Sequence, residues 1–432
     1  MPEINSDKFY IDALISKPVA LTLPVPSGTA DGNFAFETNT LSYRALPENI
    51  TIGILGGGQL ARMSSLAAFR LGVQTAIFSE SPASPAGMLT PHNFTGDLDS
   101  LESNREPLKK FAEASTVITL ENEFVAIEVL EFLESHGKKV FPTSQTMRLV
   151  RDKLIQKETL KSRGLAVAPF AAMDSKASAL LFGKQFGYPF LLKARCNGYD
   201  GYGNRTIRRE SDLDAAMTQL GFPKRELMAE AFVGFTMELA TMITRNEKGN
   251  VALYPVVETL QQNHICKTVK APARIDDETG EAASRLALQA IEAIDGVGIF
   301  GVELFLTRQG GDLLINELAP RPHNSGHYTI EACTTSQFEN HVRAVLGWPL
   351  GSPEMTSPAA VMVNLLGKRS GKISLETLKD AMRLPESAEA RIHIYGKAES
   401  RAGRKLGHVT VTGSDMEKCL RAAAAADEKI IL

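Results

Sequence analysis

Between Asn316 and His327 the chain reads Asn-Glu-Leu-Ala-Pro-Arg-Pro-His-Asn-Ser-Gly-His, an acid, a cation and several neutral hydrogen-bonding side chains behind one apolar run. That density suits the chemistry of anionic substrates and metal ions. The preceding Asp312-Leu313-Leu314-Ile315 predicts a short buried strand, with Glu317 at its end. Upstream, Gly301-Val302-Glu303-Leu304-Phe305-Leu306 predicts a second strand carrying one acid, and Gln309-Gly310-Gly311-Asp312 reads as the hairpin turn between them. Two antiparallel strands would set Glu303 beside Glu317. Carboxylates in apolar strands are rarely buried without a partner. A pair on adjacent strands suits a hard cation such as Mg²⁺, which prefers oxygen ligands and bridges nucleotide phosphates. Arg321 adds a planar fork for a small oxyanion, and His327 reads as structural.

Other elements must bring these groups a substrate. Thr51-Ile52-Gly53-Ile54-Leu55 followed by Gly56-Gly57-Gly58-Gln59-Leu60 predicts a buried strand, a tight glycine turn and a helix start whose free N–H groups attract an anion. Thr75–Phe78 predicts the next strand, with Glu80 just past it. Alone these features also fit a dinucleotide site, although the GxGxxG fingerprint is incomplete. Val117–Leu120 is a third strand, with Glu121 and Glu123 at the end where open α/β sheets place ligands. A charged helix over Asp152–Arg163 opens a different region, with another helix over Ser175–Phe186 and the strand Phe190-Leu191-Leu192-Lys193. A lysine among apolar neighbours needs a charge partner, and a nucleotide phosphate is a good one. Asn197-Gly198-Tyr199-Asp200-Gly201-Tyr202-Gly203 then reads either as a flap over phosphates or as an ordinary hairpin turn. Helix Glu281–Asp295 reads as scaffold. Past Pro349 a smaller unit holds the strand Val361–Leu366 and a basic cluster with Lys397 and Arg404, read as a phosphate cradle or as a solvated face.

At 432 residues and 44% hydrophobic content the chain is long enough for two or three domains with ordinary cores. A net charge of -3, from 47 basic and 50 acidic residues, gives no global reason to expect nucleic-acid binding. No apolar run approaches the ~20 residues that span a bilayer. The four cysteines form no CxxC pair, which argues against a zinc site or disulfide framework and fits a reducing cytosol. Residues 1–48 lack a secretory pattern and carry too many acids for a transit peptide, so they read as a surface arm or a disordered leader.

The run from Asn316 closely resembles the Asn-Glu-hydrophobic-Ala-Pro-Arg-x-His-Asn-Ser-Gly-His signature of the N5-carboxyaminoimidazole ribonucleotide synthetase family, ATP-grasp carboxylases of purine biosynthesis. The likeness runs from about Ile52 to Val411, and Tyr395–His408 matches the family's Tyr-Gly-Lys-x-Glu-x-Arg-x-Gly-Arg-Lys-x-Gly-His pattern. It implies an α/β, three-domain ATP-grasp architecture. An N-terminal extension (1–48) precedes a Rossmann-like pre-ATP-grasp domain (49–150), an ATP-grasp domain (151–350, lid roughly 160–230) and a small β-rich C-terminal domain (351–432). The implied reaction joins bicarbonate to the amine of 5-aminoimidazole ribonucleotide through carboxyphosphate, driven by ATP with Mg²⁺ on Glu303 and Glu317. The implied nucleotide contacts are Lys153, Lys193, Gly198, Tyr199, Asp200, Gly201, Gly203, Val233, Asn316 and Glu317, with Glu230 and Glu238 toward adenine or ribose. Arg321, His323, Asn324, Tyr199 and Lys397 form the implied catalytic set. There His323, tuned near neutrality, shuttles a proton and Asn324 orients the reacting carboxyl. Gly58, Gln59, Leu60, Asp200, Lys397 and Arg404 hold the ribonucleotide. Glu121 and Glu123 read as supporting or structural acids.

The family's loop carries Lys or Arg where this chain has Tyr202, and glutamine where it has Asn204, so one phosphate-seeking cation is missing. Turnover, substrate or a compensating cation must answer for that. The alternatives are another ATP-grasp ligase, such as a formate-dependent glycinamide ribonucleotide transformylase, or a non-catalytic nucleotide-binding paralogue. The resemblance also implies a cytoplasmic homodimer and a downstream mutase as a separate protein.

Overall fold

The computed structural model describes residues 50–198, 203–262, 265–308, 310–379 and 390–432, and the backbone of residues 380 and 381 and of strands Pro18–Gly28 and Phe34–Arg44. Those two strands pair antiparallel from Pro18↔Arg44 to Gly28↔Phe34 and form a unit by themselves. The rest of the arm expected over residues 1–48 lies outside the described residues.

The second unit, Thr51–Leu432, begins with a parallel sheet. Strands Asn93–Thr95, Gln74–Ser79, Thr51–Leu55, Val117–Leu120 and Val140–Phe141 lie side by side in that order. Thr51–Leu55 and Val117–Leu120 are buried along their whole length, as strands covered by helices on both faces must be. The strand order reverses between these two. The reversal opens a crevice at their carboxyl ends, where Gly56–Gly58 faces Glu121–Glu123.

Residues 170–231 form a separate four-stranded antiparallel sheet in the order Asn204–Ile207, Phe190–Ala194, Leu227–Ala231, Phe170–Met173. Helices Lys176–Phe186 and Leu213–Leu220 cover it, and Phe182, Phe190, Leu192, Leu213 and Met217 give it a core of its own. Ser175 caps the first helix in a reciprocal capping box with Ser178.

Among the described residues the largest sheet has nine strands. Its path runs Leu313–Ala319, Gly298–Thr307, Phe235–Arg245, Val257–Gln262, Ile265–Ala271, Ala359–Leu366, Lys405–Gly413, Ala390–Ile394, with Val251–Leu253 paired beside Phe235–Arg245. Ile265–Ala271 bonds Ala359–Leu366 directly, with Thr268 opposite Val363. The strands that carry the acids and those that carry the C-terminal basic cluster therefore belong to one hydrogen-bonded slab. Helix Asp277–Ala293 packs Ala283, Ala287, Ala290 and Ile291 onto it, and helix Met416–Lys429 covers its far end through Cys419, Ala423 and Ala426. No helix among the described residues is long and apolar enough to cross a membrane.

Candidate active site

Glu303 and Glu317 stand directly opposite each other on neighbouring antiparallel strands, as the sequence predicts. Glu317 lies inside its strand, Leu313–Ala319, rather than at the end. The ladder slips by one residue beside them, pairing Leu304 with Ile315 and leaving Asn316 as the extra residue of a bulge. A bulge re-aims side chains. Here Asn316 turns its Nδ2 onto Glu303 Oε2 at 3.1 Å. Burial, and then the Glu317 charge, push the Glu303 carboxyl up to about 7. Two carboxylates that cannot comfortably ionise together make a donor set that fits a divalent cation. Lys153, the first residue of helix Lys153–Ser162, forms an ion pair with Glu317. Burial works against the Lys153 charge, but Glu317, with Glu123 and Glu303 beyond it, holds its pKa above the ordinary value.

Arg321 follows the acid strand and is clamped from the N-terminal sheet. Its Nε and Nη2 donate to the two oxygens of Glu123 at 2.5 and 3.0 Å. Burial alone would raise the Glu123 carboxyl, but Arg321 outweighs it and holds the group at about 2. The same pairing raises Arg321 against the cost of its own burial. His323 lies 3.4 Å from Glu303 Oε1 through Nε2. Its Nδ1 meets Ser325 Oγ at 2.8 Å and faces the Ser325 N–H at 3.4 Å, so the hydrogen-bond pattern assigns the ring proton to Nε2. Burial, then Arg321 and Lys405, depress its pKa to about 3. The expected tuning near neutrality gives way to a firmly neutral imidazole.

Three further expectations are corrected. Glu230 was assigned to adenine or ribose, yet its side chain is 2% exposed, with Lys157 Nζ 2.8 Å from Oε1 and Lys193 Nζ 2.5 Å from Oε2. Burial would raise this carboxyl, but Lys193 and Lys157 bring it down to about 2. It is the counter-ion of two lysines. Asn324 gives both ends of its amide to Asn364, at 2.9 and 2.5 Å, so it ties the turn after Arg321 to strand Ala359–Leu366 rather than facing a reactant. At the glycine turn the Gly58 N–H expected on the ribonucleotide phosphate donates to Glu121 Oε1 at 2.6 Å, and Ala61 N–H to Oε2 at 3.0 Å. An acid of the protein thus occupies part of the anion site at the start of helix Gln59–Arg70.

The remaining candidates are spread over several elements. Gln59 and half-buried Lys397 and Arg404 line a cavity of about 750 Å³ with Glu80, Ser81 and Glu121, between the first sheet and the last strands. Lys397 Nζ donates to Lys405 O at 2.9 Å, and Arg404 Nη1 to Glu399 O at 2.7 Å. Leu60 is buried on the helix. Lys193 is on the middle strand pair of the 170–231 sheet, and half-buried Val233 is in the link to strand Phe235–Arg245. Glu238 sits on that strand opposite Phe305, its carboxyl raised by burial. Gly203 adopts φ +125°, and a Cβ there would meet Gly198 Cα at 2.9 Å, so the loop closes backbone on backbone. Tyr199, Asp200, Gly201 and Tyr202 lie outside the described residues, as does Gln309 of the expected turn. His327 is buried, with Nδ1 on Gln337 Nε2 at 3.1 Å, as a structural histidine should be.

Lys157 escaped the sequence reading. It lies one helical turn after Lys153, on the same face, and that spacing is the signal that reveals it.

Three family models match the chain: a ribonucleotide synthetase preATP-grasp domain over residues 49–151, an ATP-grasp domain over 158–338, and a phosphoribosylaminoimidazole carboxylase C-terminal domain over 360–422. The N5-carboxyaminoimidazole ribonucleotide synthase of Synechococcus elongatus is 38% identical over 380 residues, covering 87% of this chain and 92% of that protein. The phosphoribosylaminoimidazole carboxylase of Ogataea methanolica is 41% identical over 377 residues, covering 86% of this chain and 68% of its own length. The Saccharomyces cerevisiae carboxylase is covered over 64%, so the chain spans about two thirds of these fungal relatives. Among solved structures, the Thermotoga maritima synthetase superposes with a TM-score of 0.77 at 40% identity, covering 88% of this chain and 99% of that one. An Aspergillus clavatus synthase in complex with ADP and 5-aminoimidazole ribonucleotide gives 0.79 at 35% identity, with the same coverage.

Proposed function

The chain belongs to the N5-carboxyaminoimidazole ribonucleotide synthase family, and from that premise we propose that it carboxylates 5-aminoimidazole ribonucleotide in an ATP- and bicarbonate-dependent reaction of purine biosynthesis. The observation that carries this reading is the wall shared by two half-sites. One segment runs from Glu317 through Arg321 to His323, and His323 touches Glu303, so the group that receives bicarbonate adjoins the acids that face the nucleotide phosphates.

Phosphoryl transfer asks for positioning and charge neutralisation more than covalent help. Glu230 fixes Lys157 and Lys193 as a pair of ammonium groups for ATP phosphate oxygens, and Lys153 stands beside them at Glu317. Glu303 and Glu317 would hold Mg²⁺, which when bound neutralises charge on the phosphates. Arg321, set in orientation by Glu123, presents its remaining N–H edge to bicarbonate and then to the carboxyphosphate formed when bicarbonate oxygen attacks the γ-phosphorus and ADP leaves with the bridging oxygen. The amine of the ribonucleotide attacks the carboxyphosphate carbon and phosphate leaves. The amine proton is lost as the C–N bond forms and the departing phosphate takes it up, while the neutral His323 ring, its Nε2–H toward Glu303, holds the reacting group in position. Lys397 and Arg404 hold the ribonucleotide phosphate in the large cavity, with Gln59 at its glycine wall. Tyr199, Asp200, Gly201 and Gly203, with Gly198 and Val233, are the remaining contacts this reading assigns to the nucleotide. The protein works as a cytoplasmic homodimer and passes its labile product to a separate mutase.

The test is ADP release with Mg·ATP and 5-aminoimidazole ribonucleotide, with bicarbonate supplied or stripped. Dependence on both substrates supports the carboxylase and means that Tyr202 is tolerated. ADP release that needs the amine but ignores bicarbonate overturns it.

A further inference from the structure

Beside His327, three side chains from two parts of the fold converge. Glu331 comes from the short helix Thr329–Ala332 that follows the His327 segment. His393 and His408 stand directly opposite each other on strands Ala390–Ile394 and Lys405–Gly413. Each of the three offers a ligand atom, and these atoms lie within 4.8 Å of one another. The imidazoles stack with centroids 4.4 Å apart and planes 12° from parallel, and His393 Nε2 meets Glu331 Oε1 at 2.7 Å.

A second observation is independent of this proximity. His408 Nε2 and Glu331 Oε2 are both buried and both without a hydrogen-bond partner. His408 is wholly buried, and its other nitrogen, Nδ1, is engaged by the Tyr395 hydroxyl at 3.0 Å. If Nδ1–H donates to that hydroxyl, Nε2 is left as a bare lone pair. This is the arrangement in which protein histidines bind metals, one nitrogen oriented by a neighbour and the other turned to the ion. A buried lone pair and a buried carboxylate oxygen in one cluster each need a positively polarised guest, and native structures rarely leave such atoms unmet.

We propose that Glu331, His393 and His408 form a site for a first-row divalent cation of the zinc type. Two imidazoles and one carboxylate favour such an ion over Mg²⁺, which the all-oxygen pair Glu303 and Glu317 suits better. For the ion to take Nε2 of His393, the ring proton that now bridges to Glu331 must sit on Nδ1 instead. Bonds of about 2.0–2.1 Å set tetrahedral donors closer than 4.8 Å, so the stacked rings must tilt inward and Glu331 must follow. The ion would then clasp the helix after His327 to the strands that lead into Lys397.

The experiment uses the full chain, stripped with chelator and titrated with Co²⁺ and separately with Zn²⁺ in the absence of nucleotide. The expected result is one retained equivalent after desalting, a visible d–d spectrum for Co²⁺, and a higher melting temperature with Zn²⁺. His393→Gln should abolish the spectrum, Glu331→Gln should weaken binding at least tenfold, and Glu303→Gln should leave the spectrum intact. Should His393→Gln fail to fold, Glu331→Gln carries the same reading. No retained metal, or a Co²⁺ spectrum that survives Glu331→Gln and disappears with Glu303→Gln, overturns the proposal and leaves the two orphaned atoms to water.

Discussion

Replacing Glu123 by glutamine isolates what the N-terminal sheet contributes to the chemistry. The side chain pairs with Arg321 and is 15% exposed, so solvent screens the pair only weakly. Its carboxyl is held at about 2 against an ordinary 4.5, which corresponds to about 3 kcal/mol of preference for the charged form. Glutamine keeps the shape, loses the charge, and can accept only one of the two guanidinium bonds. If between one half and nearly all of that preference serves to orient Arg321 in the transition state, kcat/KM for bicarbonate should fall by about 10- to 100-fold, with a much smaller change in KM for ATP. The assay is ADP release against bicarbonate at saturating ATP and ribonucleotide, alongside a thermal melt. Repeating it in an Arg321→Lys background should show little additional loss, because the two residues act as a unit. A folded Glu123→Gln enzyme with bicarbonate kcat/KM within about twofold of the parent would refute the reasoning.

Alanine at Glu303 or at Glu317 should reduce Mg-dependent ADP release by about two orders of magnitude or more, and retained turnover would remove both from the metal assignment. Glu230→Gln strips two buried lysines of their shared counter-ion, so folding should lose about 3–5 kcal/mol and KM for ATP should rise. A melting temperature within about 1 °C of the parent would contradict that role. His341 provides a pH test. Its Nδ1 accepts from Ile299 N–H at 3.3 Å, its Nε2 meets Thr119 Oγ1 at 3.0 Å, and burial lowers its pKa to about 4. Because the folded value is depressed, its stabilising contribution is complete above pH 6.5 and is lost as pH falls from 6.5 toward 4, to a total of about 3 kcal/mol. His341→Gln should flatten the pH dependence of stability across that window, and an unchanged slope would dismiss the assignment.

The strands were legible where burial is written as a short, mainly apolar run interrupted by no more than one polar residue, as in Val117–Leu120 with Thr119 and Phe190–Ala194 with Lys193. The pairing of Glu303 with Glu317 was legible too, because a short glycine turn leaves antiparallel neighbours few other registers. The partners of the charged groups were not. Glu123 and Arg321 are 198 positions apart, and Lys193 and Glu230 are 37 apart. No local periodicity encodes which buried acid a distant cation will find. The bulge at Asn316 was hidden for a related reason, since a one-residue slip is a property of two strands together. The depressed His323 likewise reflects burial by neighbours brought in from other elements.

The unbroken slab from Leu313–Ala319 to Ala390–Ile394 bears on how this polypeptide can be cut or recombined. Names suggest a catalytic part and a detachable C-terminal part. Ending the chain after residue 350 would instead unzip a backbone ladder and leave Ile265–Ala271 as a bare, adhesive edge. Such a fragment should aggregate rather than persist as a slower enzyme. Swapping C-terminal segments between homologues amounts to grafting strands onto an open sheet, with success decided by register and not by linker length.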